Sequence, residues 1–190
     1  MKKICVLLAS LLIIGNVNVS AADAAVTDTY TQKFSTVQGA DNWYYCAFAG
    51  DEVKELVWVP GASKYLTAPD GEFPYVDSAQ MNTATNAGVG YRFAAPEKGM
   101  IRLVGKFYMD HPQSSKSNGV NAHVGKGGTD LWTGLVKANN EQEFEVITSV
   151  KAGENLYFYA DANGNNSFDW FHINATVEYL DMQYVSSAEG

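Results

Sequence analysis

The segment Phe168-Asp169-Trp170-Phe171-His172-Ile173-Asn174-Ala175-Thr176-Val177-Glu178-Tyr179-Leu180 decides the fold class. Phe171, Ile173, Ala175, Val177 and Tyr179 share one parity, and His172, Asn174, Thr176 and Glu178 take the other. Successive side chains of a strand point to opposite faces, so this alternation puts one face on a core and one in water. The pattern recurs upstream: Ile101, Leu103, Phe107 and Met109 share a parity, as do Val120, Ala122 and Val124, and Phe144, Val146 and Val150. Gly- and Asn-rich turns separate these segments, and no helical period lies between them. The sequence therefore predicts an all-β, two-layer antiparallel β-sandwich with about nine strands.

Those strands are expected over 43–49, 54–59, 89–94, 100–109, 120–125, 130–137, 143–151, 155–160 and 168–180. The stretch from Pro60 to Gly88 has no period of either kind. It holds Pro60, Pro69 and Pro74 together with Tyr65, Phe73, Tyr75 and Met81, so it reads as a long functional loop. A second irregular loop is expected from Asp110 to Asn118.

The 190-residue chain opens Met1-Lys2-Lys3, runs apolar from Ile4 to Ile14, and reaches the small residues Val19-Ser20-Ala21 and Ala22-Asp23-Ala24. A basic start, a short apolar stretch and an A-x-A-like site make a signal peptide over 1–24. The apolar run is shorter than the ~20 residues that span a bilayer. The expectation is a secreted protein, extracellular or periplasmic, with one domain over 25–185 and a frayed tail at 186–190. Cleavage after Ala21 removes Lys2 and Lys3 and leaves 11 basic residues against 21 acidic ones, a net charge of −10. That balance excludes nucleic acid and anionic membranes as expected partners, since both reward basic surfaces. Of two cysteines, Cys5 leaves with the leader and Cys46 stands alone, so no disulfide staples the mature chain. Cys46 reads as a small buried apolar side chain.

The aromatic stock is large: 4 Trp, 11 Tyr and 9 Phe. Tyr and Trp carry polar groups that want a partner or water, so not all are natural core residues. Rings facing solvent beside Asn and Asp can stack on a sugar while amides bind its hydroxyls. Trp58, Trp132 and Trp170 are the leading candidates, with Tyr65 and Tyr75 on the long loop. In 155–160, Leu156 and Phe158 share one face and Tyr157 and Tyr159 the other. Asp161-x-Asn163-x-Asn165, with Asp169 beyond, offers the alternating oxygen ligands of a calcium loop. The same stretch also reads as a plain Asn-Gly turn. Both readings stay open, with Asp161, Asn163 and Asp169 as the candidate metal ligands of a structural calcium and no other cofactor expected. His111, His123 and His172 lack metal-binding spacing. Glu143, Glu145 and Glu178 could pair for glycoside hydrolysis only if a sheet brought two of them together.

Several motifs carry a family resemblance. Phe34-Ser35-Thr36-Val37-Gln38-Gly39 followed by Asn42-Trp43-Tyr44-Tyr45 is one, and Pro96-x-x-Gly99-Met100-Ile101-Arg102-Leu103-x-Gly105 another. Asn118-Gly119-Val120, Leu131-Trp132, Val150-x-Ala152-Gly153-x-Asn155-x-Tyr157-Phe158 and Asn163-Gly164-Asn165 before Phe168-Asp169 follow in order. Together, from Phe34 to Tyr179, they resemble the jelly-roll carbohydrate-binding modules of exported bacterial proteins. Asn82 stands where the resemblance leads to a histidine, and Phe93 where it leads to a tryptophan. The resemblance implies non-catalytic glycan binding; with the acidic balance, the expectation is a monomeric domain that binds a polysaccharide or oligosaccharide, neutral or weakly charged. A structural or adhesive surface module is the first alternative, and a small jelly-roll hydrolase or lyase the second.

Overall fold

A computed structural model describes residues 24–110 and 116–181, so most of the leader, His111 and the tail at 186–190 lie outside the described residues. Among the described residues fourteen strands form three antiparallel sheets, and no helix is long and apolar enough to cross a membrane. One four-stranded sheet orders β1 (Ala25–Thr31), β14 (His172–Asp181), β9 (Gly99–Met109) and β12 (Asn140–Val150). The six-stranded sheet orders β11 (Thr129–Val136), β10 (Val120–Lys126), β13 (Asn155–Ala162), β8 (Gly88–Ala94), β2 (Trp43–Ala49) and β3 (Glu52–Glu55). A small third sheet joins β4 (Val57–Val59), β5 (Lys64–Leu66), β6 (Tyr75–Val76) and β7 (Met81–Asn82). The two large sheets pack face to face as a jelly-roll β-sandwich.

The core follows the parities read from the sequence. Ile101, Leu103, Phe107 and Met109 are buried, as are Val120, Ala122 and Val124, and Phe171 through Tyr179 on alternate positions. Rings from the six-stranded sheet fill the other half: Trp43, Tyr45, Tyr91, Phe93 and Phe158. Trp43 lies 4.9 Å from Phe93 and 5.4 Å from Phe158, centroid to centroid, in tilted packing that suits aromatic quadrupoles. The absence of a staple is thus compensated by a dense aromatic interior.

Five strands were not legible. β5, β6 and β7 are two or three residues long, too short to show a period. β1 is exposed along nearly its whole length, so its composition is that of a polar lead-in although its backbone pairs with β14. The segment expected as one strand over 54–59 breaks at Leu56, which is buried. Its amide donates to the Tyr45 carbonyl at 2.9 Å, and its carbonyl accepts from Gln38 Nε2 at 2.7 Å. There the chain leaves the six-stranded sheet and enters the third. The last strand begins at His172 rather than Phe168, because Phe168 has φ +63° and Asp169 is turned into the interior.

Candidate functional site

The six-stranded sheet presents one face to solvent, and its register builds a groove there. Tyr44, Arg92 and Tyr157 lie side by side on β2, β8 and β13. Cys46, Gly90, Tyr159 and His123 form the next row, extending onto β10. Strand β8 is bare at Gly88 and Gly90, so rings from its two neighbours close over it. Phe48 from β2 stacks on Tyr159 from β13, with centroids 4.2 Å apart and planes at 13°. His123 covers the opposite face of Tyr159 at 4.6 Å and 11°. Tyr157 meets Phe48 edge to face at 5.8 Å. A Cβ on Gly90 would fall 2.1 Å from the Phe158 carbonyl oxygen and 2.6 Å from Tyr159 Cα, so only glycine permits this approach.

Phe48, Tyr157 and Tyr159 floor a groove of about 370 Å³. One wall is the β2–β3 hairpin, with Gly50, Asp51 and Val53; the other is the β10–β11 hairpin from Gly125 to Asp130. Lys126 also lines the groove, but its ammonium donates to Thr148 Oγ1 at 3.1 Å and to the Ser149 carbonyl at 2.6 Å on the other sheet. At the edge of the floor, His123 Nδ1 lies 3.0 Å from Asp130 Oδ2. Its Nε2 lies 3.3 Å from Asp161 Oδ2, close enough for an ion pair but without hydrogen-bond alignment. Burial pushes the imidazole pKa down, yet the two carboxylates outweigh it and raise the value above the ordinary 6.5. Burial pushes Asp161 up, and the His123 and Asn121 contacts more than reverse it, leaving it below its usual range. The Tyr159 hydroxyl is pushed up to about 12, first by burial and then by Asp130 and Asp161.

Beside the groove, Arg92 stacks 3.9 Å over Tyr44, donates to Asn155 Oδ1 at 3.0 Å and pairs closely with Glu55. It covers Cys46, whose thiol is wholly buried and pushed up to about 11 by desolvation. A thiol so placed is inert at neutral pH.

The residues read from the sequence as ligand-binding fall elsewhere and do not form one patch. Tyr65 is 0 % exposed and stacks on Tyr45 at 4.0 Å, so it has no face to offer. Trp58 is half-buried against Tyr65 and Phe34, at 5.3 and 5.9 Å. Trp132 projects to the inner side of β11, stacking at 5.8 Å on Phe107. Tyr75 is 5 % exposed; its hydroxyl accepts from Gln80 Nε2 at 2.9 Å and is also reached by Trp170 and Asn82. Trp170 is half-buried and links Tyr75 to Phe168, 6.0 Å away, while Phe73 lies 5.7 Å from Tyr75 on the other side. These four rings make a ledge whose ends, Phe73 and Phe168, are 43 % and 42 % exposed. Asn82 and Phe93, the two departures from the resemblance, are both buried.

The calcium reading fails on convergence. Asp161 faces the outer surface, where His123 and Asn121 hold it. Asn163 is locked in a reciprocal pair with Asn118, donating to its carbonyl at 3.0 Å. Asp169 points inward and accepts from Ser117 Oγ at 2.6 Å and the Gly119 amide at 3.1 Å. The alternation in the sequence splits these side chains among three surroundings, which a pattern read by spacing alone could not show. Among the described residues no group of three or more His, Cys, Asp or Glu is placed to hold a metal. Of the candidate carboxylates, Glu178 pairs with Arg102 at 2.7 Å and Glu145 approaches the same guanidinium at 3.9 Å. Glu143 is exposed on β12.

The groove itself was missed. Its one sequence signal was the shared parity of Tyr157 and Tyr159, which needed the glycine pair of β8 beside it to gain meaning.

No protein-family model and no curated protein matches the sequence. Among solved structures, the chain is similar to the PRD1 vertex protein P5, at 14 % identity, TM-score 0.42 and coverage of 83 % of this chain and 99 % of that one. It is also similar to pika GITRL, at 10 % identity, TM-score 0.32 and coverage of 72 % and 96 %. A third is a family 35 carbohydrate binding module from Clostridium thermocellum, at 10 % identity, TM-score 0.31 and coverage of 83 % and 92 %. The likeness is one of chain path, and nothing these proteins bind is carried over on that ground.

Proposed function

We propose that this chain is an exported, non-catalytic carbohydrate-binding domain that holds a neutral or weakly charged glycan in the groove over Phe48, Tyr157 and Tyr159. The observation that supports it is the groove's composition: an aromatic floor with carboxylate and hydroxyl groups at its edges. Phe48 and His123 already cover both faces of Tyr159, so the half-buried Tyr157 ring offers the apolar surface for the C–H face of a sugar, and Asp51, Asp130 and Thr129 offer partners for its hydroxyls. Stacking plus a few hydrogen bonds corresponds to a Kd of roughly 1 μM to 1 mM, or about −8 to −4 kcal/mol.

A glycan array on the mature chain, followed by retention on insoluble polysaccharides, tests the reading. The Tyr157→Ala variant is expected to keep the fold and lose at least about tenfold in affinity, the size of one lost aromatic contact. Unchanged retention would place any site elsewhere. A structural or adhesive surface module is the second reading, favoured by the exposed ends of the Phe73–Phe168 ledge. An array without hits, together with concentration-dependent self-association, would favour it.

A further inference from the structure

The groove's charges go further than its rings. Asp51 stands on one wall and Asp130 on the other, both exposed, with Asp161 behind His123. The basic side chains nearby are turned away. Lys126 contributes its stem to the lining while Thr148 and Ser149 hold its ammonium, and Arg92 is held by Glu55, Asn155 and the Tyr44 ring. The groove therefore pairs aromatic rings with carboxylates on both walls and, among the described residues, the two basic side chains beside it are held elsewhere. Rings attract cations through their quadrupole, and carboxylates complete the site for a charged N–H donor. His123 neutralises part of this charge, but it lies under the Tyr159 stack and bridges Asp130 to Asp161, leaving Asp51 opposite without that cation.

We infer that the groove's preferred ligand is an amino sugar bearing a free ammonium, a glycan whose hexosamine nitrogens are not acetylated. The inference rests on the glycan-binding reading and narrows its ligand class. The ring stacks on the floor, with Tyr157 as the half-exposed contact, and the ammonium sits between Asp51 and Asp130. Acetylation would remove the charge and add bulk between the two acidic walls.

The test is calorimetry on the full mature chain at about pH 6, where a free sugar amine is protonated. The probes are a glucosamine hexamer, its N-acetylated counterpart, the neutral glucose hexamer of the same linkage, and hexalysine. The glucosamine hexamer is expected to bind at least about tenfold tighter than either uncharged hexamer, the size of one charge-assisted contact. Asp130→Asn and Asp51→Asn should each reduce that preference severalfold, whereas Glu143→Gln, the same charge change on the other sheet, should preserve it.

Equal or tighter binding of an uncharged hexamer would overturn the inference and leave the glycan reading standing. Hexalysine binding as tightly as the glucosamine hexamer would reduce the effect to general attraction between a basic chain and an acidic protein, and would overturn it too. So would an equal loss of preference in Glu143→Gln. If no sugar on the array or in this set binds at all, both the inference and the reading beneath it fall.

Discussion

Replacing Gly90 by alanine isolates the contact on which the groove depends. Gly90 carries no positive φ, so its backbone would accept any side chain; only space forbids one. The added Cβ would lie 2.1 Å from the Phe158 carbonyl oxygen, 2.6 Å from Tyr159 Cα and 2.8 Å from Tyr159 Cβ. None of these atoms can swing aside as the end of a long side chain could. Relief requires β8 and β13 to separate at the Gly90–Tyr159 pair, in the middle of the six-stranded sheet. Overpacking of this kind costs about 3 kcal/mol. The methyl group also removes roughly 0.5–1 kcal/mol of unfolded-state freedom, a small offset in the other direction. The net loss is therefore about 2–3 kcal/mol, which for a domain of this size lowers Tm by roughly 5–10 °C. Because Tyr159 is the atom group displaced, its stack on Phe48 should also fail, and ligand affinity with it. Gly128→Ala is the control: nothing lies within 4 Å of its Cβ position, and only its φ of +80° opposes the change. Its cost should be about 1 kcal/mol. Urea unfolding followed by tryptophan fluorescence reads both variants. A Gly90→Ala protein within about 0.5 kcal/mol of the parent, with unchanged m-value, would refute the close-approach argument.

Three further outcomes follow from the packing and the buried charges. Trp132→Ala should cost about 3 kcal/mol, since the indole stacks on Phe107 at the margin of the core, while Tyr157→Ala should cost about 1 kcal/mol or less. If the Trp132 variant kept its stability and lost retention on polysaccharide, the binding face would be under β11 and not over β13. His123 has a folded pKa raised above 6.5, so its contribution is fully present below that value and fades as pH rises through the folded pKa. The stability gap between the parent and His123→Gln should accordingly be widest in mildly acidic solution and narrow towards alkaline pH; a gap independent of pH would refute the Asp130–His123–Asp161 coupling. Burial raises Asp169 above its ordinary 3.8, and one of its oxygens has no partner. Its contribution is likewise present below that value and lost as pH rises through the raised folded pKa, so Asp169→Asn should gain on the parent as pH climbs above the ordinary carboxylate range in thermal melts. A constant difference would show that the buried carboxyl does not titrate against burial.

The sandwich was legible because burial and alternation are the same fact seen twice. On β9, β10 and β14 every position assigned inward is buried, since a strand with one wet face has no other register available. The third sheet was not legible, because Tyr65 and Tyr75 sit in strands too short to repeat and are fixed by tertiary contacts. Tyr65 meets Tyr45 from a strand 20 positions earlier, and Tyr75 meets Trp170 from across the chain. Both lie in a Pro-rich stretch that reads as an exposed loop, and both are core. The site failed to show for a related reason. Trp58, Trp132 and Trp170 read as solvent-facing by residue type, but Trp132 projects to the interior side of its strand, where parity places it, and Trp58 packs against Tyr65 and Phe34. The rings that do face the groove are Tyr157 and Tyr159, at positions the alternation marks as outward. What sequence alone could not supply is the neighbour: two glycines on β8, unremarkable in isolation, lie in register beside Tyr159 and Phe48. The absence of side chains there is what allows two phenyl-type rings, one strand apart on either side, to meet. A binding surface on a sheet is in this sense a property of cross-strand rows, and the rows exist only once the pairing is known.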